Sequence, residues 1–213
     1  LRVCGRAPYV GESDGFAMSG GRALARTWAT LRHLSAAPMR TSATSAGAAA
    51  ATAPDSTPEG PVQTTIRPDG VAHVLLSRPT KLNALNLAMF RAIAATAAEL
   101  AANKEVRAVV ISGSGRAFSA GLDVTAVAKS GRSAIDELLA RADNGPPDNL
   151  AQAVGYAWRR VNVPVVAALH GICFGGGLQI ALGADRRVAT AGCKMSILEA
   201  KWGLIPDMSG SIT

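Results

Sequence analysis

The uncharged segment from Asn162 to Ala184 restricts the possible folds of this chain more than any other stretch. It is long enough for one helix to cross a bilayer, which takes about 20 apolar residues. However, it contains Pro164 and five glycines, three of them consecutive at Gly175–Gly177, and both residue types interrupt helices. The segment therefore predicts a buried strand, a tight glycine turn and a helix, and no membrane span.

Positive charge is concentrated near the N-terminus. The chain of 213 residues has 22 Lys and Arg against 15 Asp and Glu, and residues 15–54 contain four Arg and no acid. Within residues 22–34, Leu24, Trp28 and Leu31 recur at helical spacing. An amphipathic, Arg-rich, acid-free segment is typical of an organelle transit peptide. We therefore expect a mitochondrial protein without a nucleic-acid partner, with a peroxisomal destination or a disordered tail as alternatives.

The composition changes near residue 62. Residues 41–61 are rich in Ala, Ser, Thr and Pro without apolar periodicity, so we predict a transit-peptide-like and linker segment at 1–61 and a folded core at 62–213. The core pattern predicts strands at 71–77, 106–112, 164–169 and 187–190, and a helix at 86–102 with Asn86 as N-cap. It also predicts a mobile polar surface excursion at 129–149 with some helix before it. This order is typical of an α/β domain with mostly parallel strands.

Simple cofactor and metal motifs are missing from the sequence. The three cysteines, at positions 4, 173 and 193, form neither a CxxC zinc pair nor an even-numbered disulfide framework. The pair Gly113-x-Gly115 lacks the third glycine of a dinucleotide fingerprint, and GxxxxGK[ST] does not occur. We therefore expect no bound metal and no separate cofactor.

Two glycine-rich turns, at residues 113–123 and 170–179, each follow a predicted strand. Consecutive glycines at the start of a helix expose backbone N–H groups, because no Cβ blocks their approach to a ligand. Gly176 is placed to donate one N–H, and a second donor near Leu122 would complete a two-amide pocket for a developing oxyanion. Alternatively, both turns only let helices pack closely on the sheet.

The order and spacing of the motifs resemble the crotonase family of enoyl-CoA hydratases and isomerases. The resemblance runs from about residue 62 to the end of the chain. It rests on Arg78-Pro-x-x-x-Asn83-Ala-Leu, Gly113-x-Gly-x-x-Phe118-x-Ala-Gly-x-Asp123, His170-Gly-x-x-x-Gly-Gly-Gly177, and Glu199 followed by Gly203-Leu-Ile-Pro-Asp207.

The resemblance implies a crotonase-like spiral of ββα units that binds an acyl-CoA thioester and assembles as a homotrimer or hexamer. Members of the family normally continue beyond the position of Thr213 with helices that cover the acyl site and build the trimer. We therefore expect that the C-terminal helical region is missing from this chain. Coenzyme A is part of the implied substrate.

Carried over by position, the family's oxyanion donors fall on the N–H groups of Leu122 and Gly176. Ala120, Asp123 and Val124 match the region that borders the CoA moiety. Asp123 also fits a purely structural role as a loop or N-cap carboxylate.

The carboxylates are expected to determine the reaction. Hydratases of the family use two glutamates, and this chain has Gln179 at the first position and Glu199 at the second. An amide cannot exchange a proton at neutral pH, although Gln179 could still orient water or the thioester. Asp207 lies eight residues past Glu199, a spacing that matches the acidic pair of the family's dienoyl-CoA isomerases. Asp207 also fits a turn residue after Pro206.

Several other residues receive weaker assignments. We expect an apolar surround for Glu199 from five residues, Leu198, Trp202, Leu204, Ile205 and Met208. His170 and the cysteines are expected to be packing residues, and Arg78, Lys81 and Arg116 to be solvated charges, with Lys81 also a candidate for the CoA phosphates.

The leading hypothesis is an acyl-CoA double-bond isomerase of fatty-acid β-oxidation that uses Glu199 and Asp207 over an oxyanion hole at Leu122 and Gly176. The alternative enzyme is a 2-enoyl-CoA hydratase that works with Glu199 and a water held by Gln179. A third possibility is a non-catalytic relative that binds acyl-CoA or protein.

Overall fold

A mainly parallel β-sheet organises the chain in the computed structural model, which describes residues 2–4, 60–141 and 147–213. Its six strands are β1 (Arg2–Cys4), β2 (Val62–Ile66), β3 (Val71–Leu76), β4 (Ala108–Gly113), β5 (Val165–Leu169) and β7 (Arg186–Ala189). They lie in the order β1-β7-β5-β4-β3-β2. A second sheet pairs β6 (Ile172–Phe174) with β8 (Lys194–Ser196).

Helices connect the strands. The α-helices are α1 (Leu87–Ala102), α2 (Val124–Lys129), α3 (Gly131–Leu139), α4 (Leu150–Tyr156) and α5 (Gly176–Gly183). Short 3-10 helices lie at Pro79–Lys81, Ala157–Arg160 and Leu198–Trp202. All described residues belong to one compact unit. Apart from residues 2–4, 60 and 61, the predicted transit-peptide and linker segment lies outside the described residues.

The strand directions confirm the predicted α/β class with mostly parallel strands. The β3–β4, β4–β5 and β5–β7 pairs are parallel, whereas the edge pairs β2–β3 and β1–β7 are antiparallel. The loops that follow β3, β4 and β5 all leave the sheet at the same end, because the carboxyl ends of parallel strands lie side by side. These three loops carry the Arg78, Gly113 and His170 motifs.

The core follows from side-chain periodicity. Along β3, Ala72, Val74 and Leu76 are fully buried while the alternate residues are half-buried, as expected for period-two alternation. The predicted helix is confirmed as α1, which buries Phe90, Ile93, Ala97 and Leu100 at helical spacing. Asn86 is its N-cap, as predicted, and accepts a hydrogen bond from the N–H of Met89 at 2.9 Å.

The uncharged segment 162–184 forms β5, β6 and α5, which confirms the predicted strand, glycine turn and helix. The only difference is a second short strand, β6, between them. Within the described parts of the chain, no helix is both long and apolar enough to cross a bilayer.

The polar stretch predicted as a surface excursion contains a helix. Residues 131–139 form α3, which buries Ala134 and Leu138 one turn apart. Arg91 on α1 donates two hydrogen bonds to Glu137, and this contact lowers the pKa of Glu137. The prediction missed α3 because this helix buries only Ala134 and Leu138, which gives a weak apolar periodicity. In addition, its partner Arg91 on α1 lies 46 residues away in sequence. Residues 142–146 lie outside the described residues.

Helices α4 and α5 meet through glycines. A Cβ built on Gly183 would lie 1.9 Å from the carbonyl oxygen of Gly155, and a Cβ on Gly155 would lie 2.7 Å from that of Met208. The backbones of α4 and α5 are therefore so close at Gly155 and Gly183 that a side chain on Gly183 would overlap with α4. Since α5 begins at Gly176, this contact fixes the helix that carries the glycine turn.

We expect Gly183→Ala to lower the free energy of unfolding by about 1–3 kcal/mol, the usual range for an overpacked site. The added methyl group meets a backbone oxygen, which cannot move aside as a flexible side chain can. Urea denaturation of the full chain measures the change. The matched control is Gly192→Ala, because nothing lies within 4 Å of a Cβ at Gly192. Equal stabilities of the two variants would contradict the packing role.

Candidate active site

The backbone N–H of Leu122 is free to bind a ligand. The N–H of Leu85 donates to the carbonyl of Gly121 at 2.8 Å, and the N–H of Asp123 donates to the carbonyl of Leu85 at 3.0 Å. These two bonds flank Leu122, so its own N–H points to the opposite side of the segment. Within the described residues, this N–H donates to no protein acceptor.

The N–H of Gly176 is a second free donor. Gly176 is the first residue of α5, and helix geometry leaves the first N–H groups without an intrahelical acceptor. The preceding Gly175 has a φ of +50°, a conformation that favours glycine, and its own N–H donates to Ser196 at 3.0 Å. No acceptor for the Gly176 N–H is present among residues 2–4, 60–141 and 147–213.

The two glycine turns are in direct contact. Ser119 and Cys173 form a parallel bridge, and the N–H of Phe174 donates to the carbonyl of Ser119 at 3.0 Å. Gly121 has a φ of +90°, and a Cβ on it would lie 3.4 Å from the nitrogen of Gly176 and 2.7 Å from the oxygen of Phe174. The residue before Leu122 therefore packs against the residue that supplies the other donor.

Glu199 lies beside this turn. A Cβ on Gly175 would lie 3.3 Å from Oε1 and 3.8 Å from Oε2 of Glu199. The side-chain amide of Gln179 donates to Glu199 Oε1 at 2.7 Å, whereas Oε2 is buried and has no hydrogen-bond partner among the described residues. The glycine turn, the carboxylate and the amide predicted as site residues are thus brought together.

Asp207 is exposed, and no hydrogen bond joins it to Glu199 in the described part of the chain. Its neighbour Met208 is buried and packs on the glycine turn, since its sulfur would lie 2.9 Å from a Cβ on Gly176. The predicted role of Asp207 in catalysis stays a prediction.

The expected apolar surround of Glu199 is only partly present. Met208 is buried and Leu198 is half-buried, but Leu204 and Ile205 are 64% and 77% exposed. The prediction was wrong for these two residues, because they lie in the segment after the 3-10 helix, where no described element packs over them.

Asp123 has a structural role that the sequence analysis kept open. Its Oδ1 accepts from the N–H of Ala126 at 3.0 Å and caps α2, while Oδ2 pairs with Arg78 at 3.2 Å. Ala120 lies in the same loop and donates its N–H to Leu82, and Val124 is 68% exposed at the start of α2. Contact of these three residues with CoA stays a prediction.

Arg78 is buried, which corrects the expectation of a solvated charge. Its side chain is 10% exposed, and besides Asp123 it binds the carbonyl of Ala84. Burial of a guanidinium requires such partners, because an unpaired buried charge is costly. Arg78 therefore ties the loop after β3 to the loop that carries Leu122.

Asn83 is the residue whose role the sequence analysis missed. It is fully buried, and its amide donates to the carbonyls of Ser114 at 2.9 Å and Ala117 at 2.8 Å. Its Oδ1 accepts from the N–H of Arg78 at 2.8 Å. The motif Arg78-Pro-x-x-x-Asn83 pointed to Asn83. Its role was missed because its hydrogen-bond partners Ser114 and Ala117 lie more than thirty residues away in sequence.

A basic groove adjoins Leu122. It has a volume of about 490 Å³, and its lining includes Leu122, Asp123 and the cations Arg78, Lys81 and Lys129. Since Asp123 neutralises Arg78, the two lysines are the charges that remain to attract an anionic ligand. The groove lies beside the segment Ala120–Val124 that was predicted to border CoA.

The remaining polar candidates are His170, the cysteines and possible metal ligands. The Nε2 atom of His170 lies 3.0 Å from the carbonyl oxygen of Gly115, which agrees with a turn-packing role. Burial raises the pKa of Cys173 to about 12, so this thiol stays protonated near neutral pH. No three His, Cys, Asp or Glu side chains of the described residues come close enough to hold a metal ion.

Comparison with known proteins places this geometry in context. A family model described as enoyl-CoA hydratase/isomerase matches residues 71–213. The mitochondrial Delta(3,5)-Delta(2,4)-dienoyl-CoA isomerase of Mus musculus is 32% identical over 69% of this chain and 46% of its own length. The mevalonyl-coenzyme A hydratase of Beauveria bassiana is 33% identical over 62% of this chain and 47% of its own length.

A solved structure shares the fold. The enoyl-CoA hydratase of Mycobacterium smegmatis superposes with a TM-score of 0.61 at 31% identity, over 71% of this chain and 56% of that structure. The present chain therefore spans about half the length of the relatives it matches.

We expect Arg78→Met to lower the free energy of unfolding by about 3 kcal/mol, because it leaves the carboxylate of Asp123 without its buried partner. Urea denaturation of the full chain measures this loss. Arg67→Met is the matched control: its ion pair with Asp69 has side chains 64% and 49% exposed, and exposed pairs contribute less than about 1 kcal/mol. If both variants lose the same small amount, Arg78 does not tie the loops together.

Proposed function

The chain belongs to the enoyl-CoA hydratase/isomerase family, and we propose that it binds an acyl-CoA thioester and shifts a carbon–carbon double bond along the acyl chain. The observation that supports the proposal is that two backbone N–H groups without acceptors among the described residues, those of Leu122 and Gly176, lie on glycine turns that contact each other, and that the second turn also adjoins the carboxylate of Glu199. Each of the three groups meets a distinct need of the reaction.

The donors would stabilise the enolate. When a proton leaves the carbon chain next to a thioester, negative charge moves to the carbonyl oxygen, and two N–H groups held in place can bind it. Removal of one such donor typically slows a reaction about 10²- to 10³-fold. Because the donors at Leu122 and Gly176 are backbone groups, side-chain substitution does not remove them.

Glu199 would act as the general base. The C–H bond of the substrate breaks, its electron pair passes into the enolate, and the proton forms a new bond with a carboxylate oxygen. Return of a proton at a different carbon completes the shift of the double bond. Oε2 is suited to this step because it is buried and has no hydrogen-bond partner among the described residues.

An isomerase fits the site better than a hydratase because Gln179 stands where family hydratases have their first glutamate. Its amide cannot give or take a proton at neutral pH, which leaves water addition without one of its two proton carriers. Asp207 is our candidate for the second proton carrier of an isomerase, on the basis of its spacing from Glu199. The named relatives include both an isomerase and a hydratase.

The basic groove would receive the CoA part of the substrate. Phosphate groups favour cationic partners, and Lys81 and Lys129 line the groove next to Leu122. Asp123 and Val124 line the same groove and Ala120 lies in the loop before them, and all three are proposed to contact CoA. Assembly into a homotrimer or hexamer stays a prediction from the family resemblance.

We expect Glu199→Gln to lower the rate of conversion of 3,5-dienoyl-CoA to 2,4-dienoyl-CoA by about 10²- to 10⁴-fold, the usual contribution of a general base. The KM should change little, because glutamine has the shape of glutamate and can still accept the bond from Gln179. Growth of the absorbance band of the diene conjugated with the thioester measures the rate.

The matched control is Glu137→Gln, which removes an exposed carboxylate on α3 and should leave the rate unchanged. The same assay with 2-enoyl-CoA separates the alternatives. Loss of the enoyl band would show hydration and contradict the isomerase proposal. No turnover of either substrate, together with measurable acyl-CoA binding, would indicate a non-catalytic binder.

We further propose delivery to mitochondria by the Arg-rich segment, and we expect residues 18–61 to carry a fused fluorescent protein to mitochondria. Replacing Arg22, Arg26 and Arg32 with Gln should abolish import, because the amphipathic segment loses its positive face. Fluorescence microscopy with a mitochondrial marker measures the outcome. A diffuse signal for the unmodified fusion would contradict the proposal, and a peroxisomal pattern would support the alternative destination.

A further inference from the structure

The side-chain amide of Gln179 is held in one orientation. Its Nε2 donates to Glu199 Oε1 at 2.7 Å, and its Oε1 accepts from the backbone N–H of Gly210 at 2.9 Å. A reversed amide would set donor against donor at Gly210 and acceptor against acceptor at Glu199. Gln179 is only 1% exposed, so water cannot replace either partner.

Gly210 provides the space for this amide. A Cβ on Gly210 would lie 2.9 Å from both Cγ and Oε1 of Gln179, closer than side-chain atoms approach each other. The segment after Met208 therefore presents a bare backbone N–H to the amide. Gln179 in turn links that segment to Glu199.

The bond from Gln179 makes the two oxygens of Glu199 different. Oε1 accepts from the amide, whereas Oε2 is buried and without a partner among the described residues. A carboxylate oxygen that already accepts a strong hydrogen bond is the weaker proton acceptor of the two. Buried polar atoms normally have partners, so the lone Oε2 points to a group that a ligand would supply.

We propose that Gln179 is the positioning residue of the Glu199 base, which holds Oε1 so that Oε2 is the atom that takes the substrate proton. This inference rests on the proposed function of the site. The C–H bond of the acyl chain breaks as an O–H bond forms on Oε2, and the electron pair moves to the thioester oxygen at Leu122 and Gly176. Gln179 itself carries no proton.

The first test records the side-chain carboxyl carbon signal of Glu199 by NMR in the full chain at one fixed pH, which needs no substrate. Gln179→Leu removes the amide but keeps a side chain of similar size. We expect it to shift this signal, because the hydrogen bond that Glu199 Oε1 accepts is lost. The charged residues on the segments that carry or adjoin Glu199, namely Lys194, Lys201 and Asp207, are unchanged in the variant.

The second test measures the base directly. The protein is incubated with butyryl-CoA in D2O, and mass spectrometry follows exchange of the α-protons. At the same fixed pH for both proteins, we expect Gln179→Leu to slow exchange about 10- to 100-fold, as for a misplaced catalytic group, with the Kd of butyryl-CoA nearly unchanged. Gln63→Leu, on the edge strand β2, is the matched control and should exchange at the wild-type rate.

The outcomes separate this inference from the proposed function. If the wild-type protein neither binds butyryl-CoA nor exchanges the α-protons of this thioester, the proposed function fails, and the NMR signal alone decides whether Gln179 holds Glu199. An unchanged carboxyl carbon signal of Glu199 in Gln179→Leu, or unchanged exchange in an active protein, would overturn the inference. If Gln179→Leu does not fold, Gly210→Ala takes its place, because its methyl group displaces the amide, and the same two changes are expected.

Discussion

The contact between two bare stretches of backbone is the constraint on which the rest of this structure depends. A Cβ on Gly121 would lie 2.7 Å from the carbonyl oxygen of Phe174, too close for any side chain, and the Gly175–Gly177 turn packs against Glu199, Met208 and Ser119. This contact joins two distant parts of the chain, each of which has a backbone N–H without an acceptor among the described residues. Glycine is required here for close approach, in addition to the positive φ of Gly121 and Gly175.

Polar side chains hold the loop that carries the first of these turns in place. Asn83 binds two carbonyls of the loop after β4, and Arg78 binds Asp123 at the start of α2. Each interaction joins the loop after β3 to the loop that carries Leu122. Buried groups of this kind are effective because a mispaired arrangement leaves a polar atom without a partner in a low-dielectric interior. The hydrophobic core supports the strands, but these directional bonds position the donor.

The pair formed by Gln179 and Glu199 determines which side-chain atoms of the site can carry a proton. In a family in which two acids can share a site, an amide at the first position leaves a single proton carrier at the turn. The amide also occupies one oxygen of that carrier and leaves the other without a partner among the described residues. The isomerase proposal follows from this pair, because addition of water needs a second acid or base.

The sequence by itself determined the strand, turn and helix of residues 162–184, the cap of α1 and the two glycine turns, because periodicity, capping and the conformational freedom of glycine act over a few residues. It also indicated where the backbone donors lie. Only the tertiary structure decided that Arg78 is buried, that Asn83 joins two loops, that Leu204 and Ile205 are exposed, and that one oxygen of Glu199 is occupied by Gln179. The hydrogen bonds among these residues join partners twenty or more residues apart in sequence, and the exposure of a side chain depends on whether another element packs over it. The parallel sheet determines both, because it brings the loops at the carboxyl ends of its strands together.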